Sequence, residues 1–247
     1  MRRLQDKVAV ITGGARGIGA ATAKLFAQEG AGVVIGDVLE AEGWATVQEI
    51  NDAGGRAWFV PTDVSDEMQA QHLIEEALSK FGRLDILVNN AGVLLGAFTE
   101  LAEFPSELWE RTLAVNLSGA FHCAKHAARY MTTGGVVLFV ASGAGVRGGS
   151  SSYAYGASKG GVHGLAMTME AHLRPRGIRV HAVCPSGIAT AMKLQNIRES
   201  AEHVGRDPDE ALAATQPQLG DPLGVARVLL FLASDEGSYV VGTVFTR

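Results

Sequence analysis

Short runs of β-branched and other apolar residues alternate along the chain with longer segments of helical periodicity. The runs at residues 8–12 and 136–141 are almost continuously apolar, which is typical of strands that helices cover on both faces. This alternation predicts βαβ units that build one parallel sheet. The predicted strands are Val8–Thr12, Gly32–Asp37, Arg56–Pro61, Ile86–Asn89, 136–141, Arg179–Cys184 and Gly242–Phe245.

Helical periodicity predicts helices over Gly17–Gln28, Glu67–Phe81, 106–131, 155–173 and 221–232. No linker or repeat interrupts this order, so we expect a single NAD-binding and catalytic domain over residues 1–247. The expected fold is α/β: a Rossmann-type, doubly wound, parallel seven-stranded sheet with helices on both faces.

Residues 193–219 break this rhythm with charged side chains, Pro208 and Pro217. A long irregular excursion in a compact domain is usually functional or disordered. We therefore predict a mobile helical lid over the substrate within about residues 188–219, with a plain surface insertion as the alternative.

Composition narrows the class of partner. Hydrophobic residues make up 47% and charged residues 19% of the chain, which predicts a packed globular core. The net charge of −5 and the lack of a Lys/Arg run argue against nucleic acid, so we expect a small-molecule partner. No apolar run approaches the roughly 20 residues of a membrane span, and the start does not resemble a signal peptide. The two cysteines, Cys123 and Cys184, lack CxxC spacing, which favours a reducing cytoplasm.

A glycine-rich segment, Thr-Gly-Gly-Ala-Arg-Gly-Ile-Gly at residues 12–19, follows the first predicted strand and opens the first helix. In this context Gly13 permits a tight turn, Gly17 lets the backbone approach a pyrophosphate, and Gly19 lets helix and strand pack closely. Arg16 and Ile18 belong to the same predicted cofactor loop. The alternative is a βα turn that is merely rich in glycine.

Asp37 ends the second predicted strand about 20 residues beyond the glycines, where a carboxylate can accept hydrogen bonds from an adenosine ribose. It therefore predicts NAD rather than NADP as the cofactor. Further predicted cofactor residues end neighbouring strands, because ligands of open α/β sheets bind beyond the carboxyl ends of strands; they are Val38, Asp63, Val64, Asn90, Ala91 and Gly92. For Asp63, a helix N-cap before Ser65 and Asp66 is an equal alternative.

Tyr155 and Lys159 lie four residues apart near the start of a predicted helix and so share one face. A phenol is a poor base at neutral pH, but a nearby ammonium and a nicotinamide cation would favour the phenolate. Ser142, just past the fifth strand, can hold a substrate oxygen. The ordinary alternative is a buried tyrosine beside a solvated lysine. Tyr153 competes less well, since Ala157 stands four residues after it.

Taken together, these residues resemble the short-chain dehydrogenase/reductase family over essentially the whole chain. The resemblance implies that Tyr155 is the general acid/base, that Lys159 holds the nicotinamide ribose and lowers the Tyr155 pKa, and that Ser142 orients the substrate. It also implies that Asn116 supports a water-linked proton relay. The family segment that receives the nicotinamide carboxamide appears at residues 185–190, which adds Pro185, Ile188 and Thr190 to the cofactor site.

Two departures from the family pattern stand out. Ser186 replaces a usual glycine, from which we expect a local change in the substrate wall. Family members usually continue past the last strand, whereas this sequence stops at Thr246 and Arg247. The family implies a homotetramer; if the ending at Arg247 is genuine, we expect a dimer instead. Small residues on the long helices, such as Ala120, Ala124 and Gly164, would permit close packing between subunits.

The expected activity is NAD(H)-dependent interconversion of a secondary alcohol and a ketone, with an alicyclic or steroid-like substrate. The alternatives are an NADPH-dependent 3-oxoacyl-acyl-carrier-protein reductase and a non-catalytic dinucleotide sensor, which would have no need of the catalytic side chains. His122 and His126 stand four apart without a nearby carboxylate, so we expect no metal site. A hydrolase is disfavoured because no GxSxG segment occurs.

Overall fold

The computed structural model describes residues 2–246, so Arg247 lies outside the described residues. Seven strands form one parallel sheet in the order β3-β2-β1-β4-β5-β6-β7. Their bounds are β1 Val8–Thr12, β2 Gly32–Asp37, β3 Arg56–Pro61, β4 Ile86–Asn89, β5 Val136–Val140, β6 Arg179–Cys184 and β7 Gly242–Phe245. The predicted single-domain, doubly wound fold is confirmed.

Helices cover both faces of this sheet. They are α1 Gly17–Gln28, α2 Glu40–Asp52, α3 Glu67–Phe81, α4 Ser106–Leu113, α5 Gly119–Ala127, α6 Tyr153–Leu173, α7 Ala191–His203, α8 Pro208–Thr215 and α9 Pro222–Ala233. Successive residues of the central strands enter opposite cores: Leu87 joins one apolar cluster, and Ile86 and Val88 join the other. Burial on both faces explains why the central strands are continuously apolar.

The single helix predicted over residues 106–131 is wrong in two respects. A π-helical segment, Ala114–Ser118, interrupts it, and α5 ends at Ala127. The π turn places the buried Asn116 side chain against residue 93, since its amide exchanges two hydrogen bonds with the Val93 backbone. Such single-turn π segments are frequent at functional sites.

Smaller differences concern the ends of elements. Strand β5 ends at Val140, one residue earlier than predicted, and α6 begins at Tyr153, two residues earlier. The Ser152 hydroxyl accepts a hydrogen bond from the Tyr155 N–H and so caps α6. Helix α2 was not predicted, because Gly43 and Thr46 occupy inward positions and weaken its apolar pattern.

Candidate active site

One large cavity of about 720 Å³ opens at the carboxyl edge of the sheet. It lies beside the boundary between β1 and β4, where the strand order reverses and where ligands of open α/β sheets bind. Every predicted site residue lines this cavity except Gly19 and Asn116, which lie behind its wall. The predicted site residues that line the cavity are Gly13, Arg16, Gly17, Ile18, Asp37, Val38, Asp63, Val64, Asn90, Ala91, Gly92, Ser142, Tyr155, Lys159, Pro185, Ile188 and Thr190.

The glycine loop between β1 and α1 has the geometry that its sequence predicts. Gly13 and Gly17 adopt φ values of +64° and +60°, a left-handed conformation that favours glycine. A Cβ on Gly19 would lie 2.1 Å from the Gly13 carbonyl oxygen, so only glycine allows this close approach. The loop thus leaves backbone and a helix N-terminus facing the cavity, and this arrangement fits a dinucleotide pyrophosphate.

Thr12 at the end of β1 and Asn90 just after β4 hold this loop in place. The Asn90 side-chain amide donates to the carbonyl oxygens of Thr12 and Gly13 at 3.0 and 2.9 Å. The Thr12 hydroxyl accepts from the backbone N–H groups of Asn90 and Ala91. Asn90 therefore braces the loop with its side chain, and Thr12 is a supporting residue that sequence analysis did not single out.

Asp37 lies at the end of β2 with its carboxylate fixed beside the glycine loop. One oxygen accepts from the Ala15 N–H at 3.0 Å, and the other accepts from the Leu39 N–H at 3.1 Å. Because Asp37 also lines the cavity, its remaining lone pairs can face a ribose.

Asp63 lines the cavity, but its carboxylate is already engaged. It accepts from the Ser65 hydroxyl at 2.6 Å and from the Arg111 guanidinium at 2.8 Å. Burial disfavours the charged form, yet the hydrogen bonds from Ser65 and Arg111 outweigh it and lower the Asp63 pKa. The N-cap of α3 is Asp66, not Asp63, since the Asp66 carboxylate accepts from Met68 and Gln69.

Tyr155 and Ser142 meet on the opposite side of the cavity. Both side chains line it; burial raises the Tyr155 pKa above its usual range, and the Ser142 side chain acts against this rise. Tyr153 is 47% exposed and lies outside the cavity lining, so Tyr155 is the tyrosine positioned for chemistry.

Lys159 lies one turn after Tyr155 on α6 and is 4% exposed. Its ammonium donates to the Val140 carbonyl oxygen at 2.8 Å and lies 5.7 Å from the centre of the Tyr155 ring. Burial lowers the Lys159 pKa to about 8. Burial is thus the largest influence on the pKa of both groups, and the lowering of the Tyr155 pKa by Lys159 stays a prediction.

Asn116 is buried behind this pair rather than exposed to the cavity. Its amide nitrogen donates to the Val93 carbonyl oxygen and to the Ser158 hydroxyl, each at 2.9 Å. A Cβ placed on Gly92 would lie 3.3 Å from the Asn116 side-chain oxygen and 3.4 Å from the Lys159 ammonium. Asn116 therefore packs close to Lys159, while its role in a proton relay stays a prediction.

The segment after β6 forms the cavity wall between the cofactor end and the substrate end. Thr190 is the N-cap of α7, where its hydroxyl accepts from the Lys193 N–H. A Cβ on Gly17 would lie 3.3 Å from the Thr190 methyl group, so this segment faces the glycine loop. Ser186, the departure from the family pattern, also lines the cavity.

The far wall of the cavity includes residues that sequence analysis did not single out. Asn196 on α7 donates to the Ser151 hydroxyl at 3.0 Å, and the Phe98 ring stacks on His203 with 5.4 Å between centres. Ser200 and Arg111 also line the cavity. No sequence motif marks these residues, because they converge from α4, α7 and the loops after β4 and β5.

Within residues 2–246, no group of three or more His, Cys, Asp or Glu side chains could hold a metal ion. His126 instead contacts the Glu67 carboxylate at 3.0 Å, and His122 contacts the Val64 carbonyl oxygen at 3.3 Å. Over the same residues, no helix is both long and apolar enough to cross a bilayer.

Comparison with known proteins identifies relatives over nearly the full chain. The sequence is 42% identical to tropinone reductase-like 1 of Erythroxylum coca over 98% of this chain and 88% of the relative. It is 41% identical to cis-4-hydroxycyclohexanecarboxylate dehydrogenase of Sinomonas cyclohexanicum over 97% and 94%. It is 40% identical to the 3-oxoacyl-[acyl-carrier-protein] reductase FabG of Thermotoga maritima over 98% and 96%.

Solved structures have the same fold. Levodione reductase superposes with a TM-score of 0.87 at 32% identity, covering 98% of this chain and 96% of that one. A short chain dehydrogenase from Burkholderia cenocepacia in complex with NADP gives a TM-score of 0.86 at 31% identity, covering 98% and 97%.

The short chain dehydrogenase profile matches residues 7–201, which include the glycine loop, Asp37 and the Ser142–Tyr155–Lys159 cluster. Together with relatives above 40% identity over the whole chain, this match confirms the resemblance inferred from the sequence. The chain belongs to the short-chain dehydrogenase/reductase family, whose members are oxidoreductases that bind a nicotinamide dinucleotide.

Proposed function

We propose that this protein is an NAD(H)-dependent oxidoreductase that interconverts a secondary alcohol and a ketone, with Tyr155 as the general acid/base. The observation that carries this proposal is that Tyr155, Ser142 and Lys159 line the same cavity as the glycine loop and Asp37. A cofactor and a small substrate can therefore meet in one site.

The cofactor, when bound, supplies the transfer of a hydride. Ser142 donates a hydrogen bond to the substrate oxygen and holds it beside the Tyr155 phenol. In reduction Tyr155 donates its proton to that oxygen, and in oxidation it accepts the proton of the alcohol. Because burial raises the Tyr155 pKa, the protonated phenol prevails at neutral pH, and the site is ready to act as an acid. Lys159 holds the ribose nearest the reacting ring, and Asn116 supports the proton relay.

The preference for NAD depends on Asp37. Its carboxylate is fixed by two backbone N–H groups beside the glycine loop, so it cannot easily turn away from a phosphate on the ribose. Two unit charges about 4 Å apart repel by about 1 kcal/mol even in water, and about 1.4 kcal/mol is a tenfold difference in affinity. Arg16 lines the same end of the cavity and is the cation that could offset this repulsion. Because a similar structure carries NADP, membership of the family does not select between the two cofactors, and the preference for NAD depends on Asp37.

An alicyclic alcohol or ketone fits the apolar part of the far wall, which includes Leu94, Phe98, Ala144 and Met192. Relatives named for a hydroxycyclohexanecarboxylate and for tropinone support a ring-bearing substrate. The second candidate is an NADPH-dependent 3-oxoacyl-acyl-carrier-protein reductase, which the similarity to FabG favours and Asp37 opposes.

We also propose that α7 and α8 act as the lid of the site. Helix α7 lines the cavity with Met192, Lys193 and Asn196 and connects to the loop after β5 through the Asn196–Ser151 hydrogen bond. Opening of this lid would admit the substrate, and closure would exclude water from the reacting atoms.

A homo-oligomer, either a tetramer or a dimer, is proposed for the same protein. Exposed aromatic side chains on and after α4 and α5 support it: Trp109, Phe121 and Tyr130 are 39–48% exposed. Ala120 and Ala124 do not contribute as predicted, since both are buried in the protomer's own core. Light scattering at micromolar concentration would show a multimer, and a monomer alone would refute this assignment.

The test is a turnover screen that follows absorbance at 340 nm with NAD⁺ or NADP⁺. The substrates are cyclohexanol, ring-substituted cyclohexanols, a hydroxysteroid and a 3-hydroxyacyl thioester. We expect cyclic secondary alcohols to react, with NAD⁺ preferred. Turnover of the thioester alone with NADP⁺ would favour the second candidate, and cofactor binding without any turnover would indicate a sensor.

A further inference from the structure

The far end of the cavity has a polar stripe on α7. Lys193, Asn196 and Ser200 line the cavity at helical positions i, i+3 and i+7, so they lie on one face of the helix. An apolar alcohol alone would not need such a stripe. This face instead offers hydrogen-bond donors to a polar group at the end of the substrate remote from the reacting carbon.

Lys193 is the charged member of this stripe. Among the described residues, four basic side chains line the cavity: Arg16, Arg111, Lys159 and Lys193. Arg111 is paired with Asp63, and the Lys159 ammonium donates to Val140. Over residues 2–246, the Lys193 side chain has no hydrogen bond or ion pair, although Lys193 is partly buried.

The cavity's own acids lie at its other end. Asp37 ends β2 and Asp63 follows β3, both on one side of β1 in the strand order, whereas α7 follows β6 on the other side of β1. The Lys193 chain lies beside Gly187, where a Cβ would be 3.9 Å from the Lys193 Cε atom. The described part of the chain therefore places a cation at the substrate end without an anion of its own to neutralise it.

We propose that Lys193 binds a carboxylate carried by the substrate, so that the enzyme acts on alicyclic hydroxy acids or keto acids; this deepens the proposed function and rests on it. A partly buried ammonium binds a carboxylate through charge-assisted hydrogen bonds, which are about twice as strong as neutral ones. Ser200 supplies a further hydroxyl donor on the same face, and Asn196 keeps this face against the loop after β5.

One other anion is within reach of this part of the cavity, namely the pyrophosphate of the cofactor. Thr190 faces the glycine loop and lies only one turn before Lys193. The two sources differ in what they predict. A substrate carboxylate makes Lys193 matter for acids alone, whereas a pyrophosphate makes it matter for every substrate and for the KM of NAD⁺.

The test compares 3- and 4-hydroxycyclohexanecarboxylates with the matching carboxamides, which have similar shape but no charge. Variants are Lys193→Met, Lys193→Glu and, as a control that removes one surface lysine, Lys24→Met, whose ammonium pairs with Glu49 far from the cavity. Wild type and control should prefer the acid by about 10- to 100-fold in kcat/KM, the range expected for a hydrogen bond between charged groups. Lys193→Met should lose this preference without losing activity on the amide, and Lys193→Glu should favour 4-aminocyclohexanol.

Equal kcat/KM of wild type for acid and amide would overturn the inference while leaving the proposed function intact. A Lys193→Met variant that loses activity equally on both, with a raised KM for NAD⁺, would assign Lys193 to the pyrophosphate. If no alcohol reacts, the proposed function fails. A thermal shift with NAD⁺ and cyclohexanecarboxylate then tests separately whether Lys193 binds a carboxylate. Stabilisation of wild type but not of Lys193→Met supports the carboxylate site, and no stabilisation of either refutes it.

Discussion

Replacing Lys159 by Met should abolish turnover and yet make the protein more stable at neutral pH. The Lys159 ammonium is 4% exposed, and burial lowers its pKa from 10.5 to about 8. Methionine has nearly the same shape and no charge. The substitution removes a buried charge that the fold tolerates for the sake of the site.

The magnitude follows from the lowered pKa. One pKa unit corresponds to about 1.36 kcal/mol, so keeping Lys159 protonated in the folded state costs on the order of 3 kcal/mol at pH 7. Losing the hydrogen bond to the Val140 carbonyl oxygen offsets about 1–3 kcal/mol of this gain. We therefore expect a net stabilisation of roughly 1 kcal/mol, or about 2–4 °C in Tm.

The direction of the Lys159 pKa shift determines how this stability difference changes with pH. Below pH 8 the group is protonated in both states and its cost is fully present; between pH 8 and 10.5 only the folded state loses the proton, so wild-type stability from this group rises. Urea unfolding followed by tryptophan fluorescence, at one protein concentration, should show that Lys159→Met has a larger free energy of unfolding than wild type at pH 7 and a smaller one at pH 10. Lys24→Met, which removes an exposed paired lysine, should change little at either pH. A variant less stable than wild type at pH 7, or a difference independent of pH, would refute the reasoning.

Three further predictions concern other parts of the site. Since burial raises the Tyr155 pKa, kcat/KM for alcohol oxidation should rise from pH 6 to 9; a flat or falling profile would contradict Tyr155 as the base. Asp37→Asn keeps an acceptor for the Ala15 N–H but removes the charge, so the kcat/KM ratio of NAD⁺ to NADP⁺ should fall by about tenfold; an unchanged ratio would reject the charge argument. Gly19→Ala should lower stability by roughly 2 kcal/mol or more in thermal melts, because its Cβ would meet the Gly13 carbonyl oxygen. Gly224→Ala, where a Cβ meets open space, is its control and should not destabilise the protein.

The strands and the cofactor end of the site were predictable because their signals are local. Continuous apolar runs specify strands that are buried on both faces, and the spacing from Gly13 to Asp37 reflects one βαβ unit. Six of the seven predicted strands agree with the structure at both ends, and β5 differs by one residue. Local sequence was sufficient to predict these features because each of these residues acts within its own turn or at the end of its own strand.

What local sequence missed depends on tertiary packing. The π turn at Asn116 arises from contacts with Val93 and Ser158, which are distant in sequence. Likewise, local sequence does not reveal that Asp63 pairs with Arg111, which is 48 residues away in the chain. The raised pKa of Tyr155 is a consequence of burial that residue spacing does not reveal.

The most direct test of the central claim is transfer of deuterium from NADH that carries deuterium at both C4 positions to a substituted cyclohexanone, followed by mass spectrometry of the product. Wild type should place one deuterium on the carbinol carbon of the alcohol. Tyr155→Phe, which keeps the ring but lacks the transferable proton, should do so at least about 100-fold more slowly while still binding NADH. Tyr153→Phe should match wild type, since that exposed residue lies outside the cavity lining. Equal rates for wild type and Tyr155→Phe, or no deuterium in the product of wild type, would contradict the central claim.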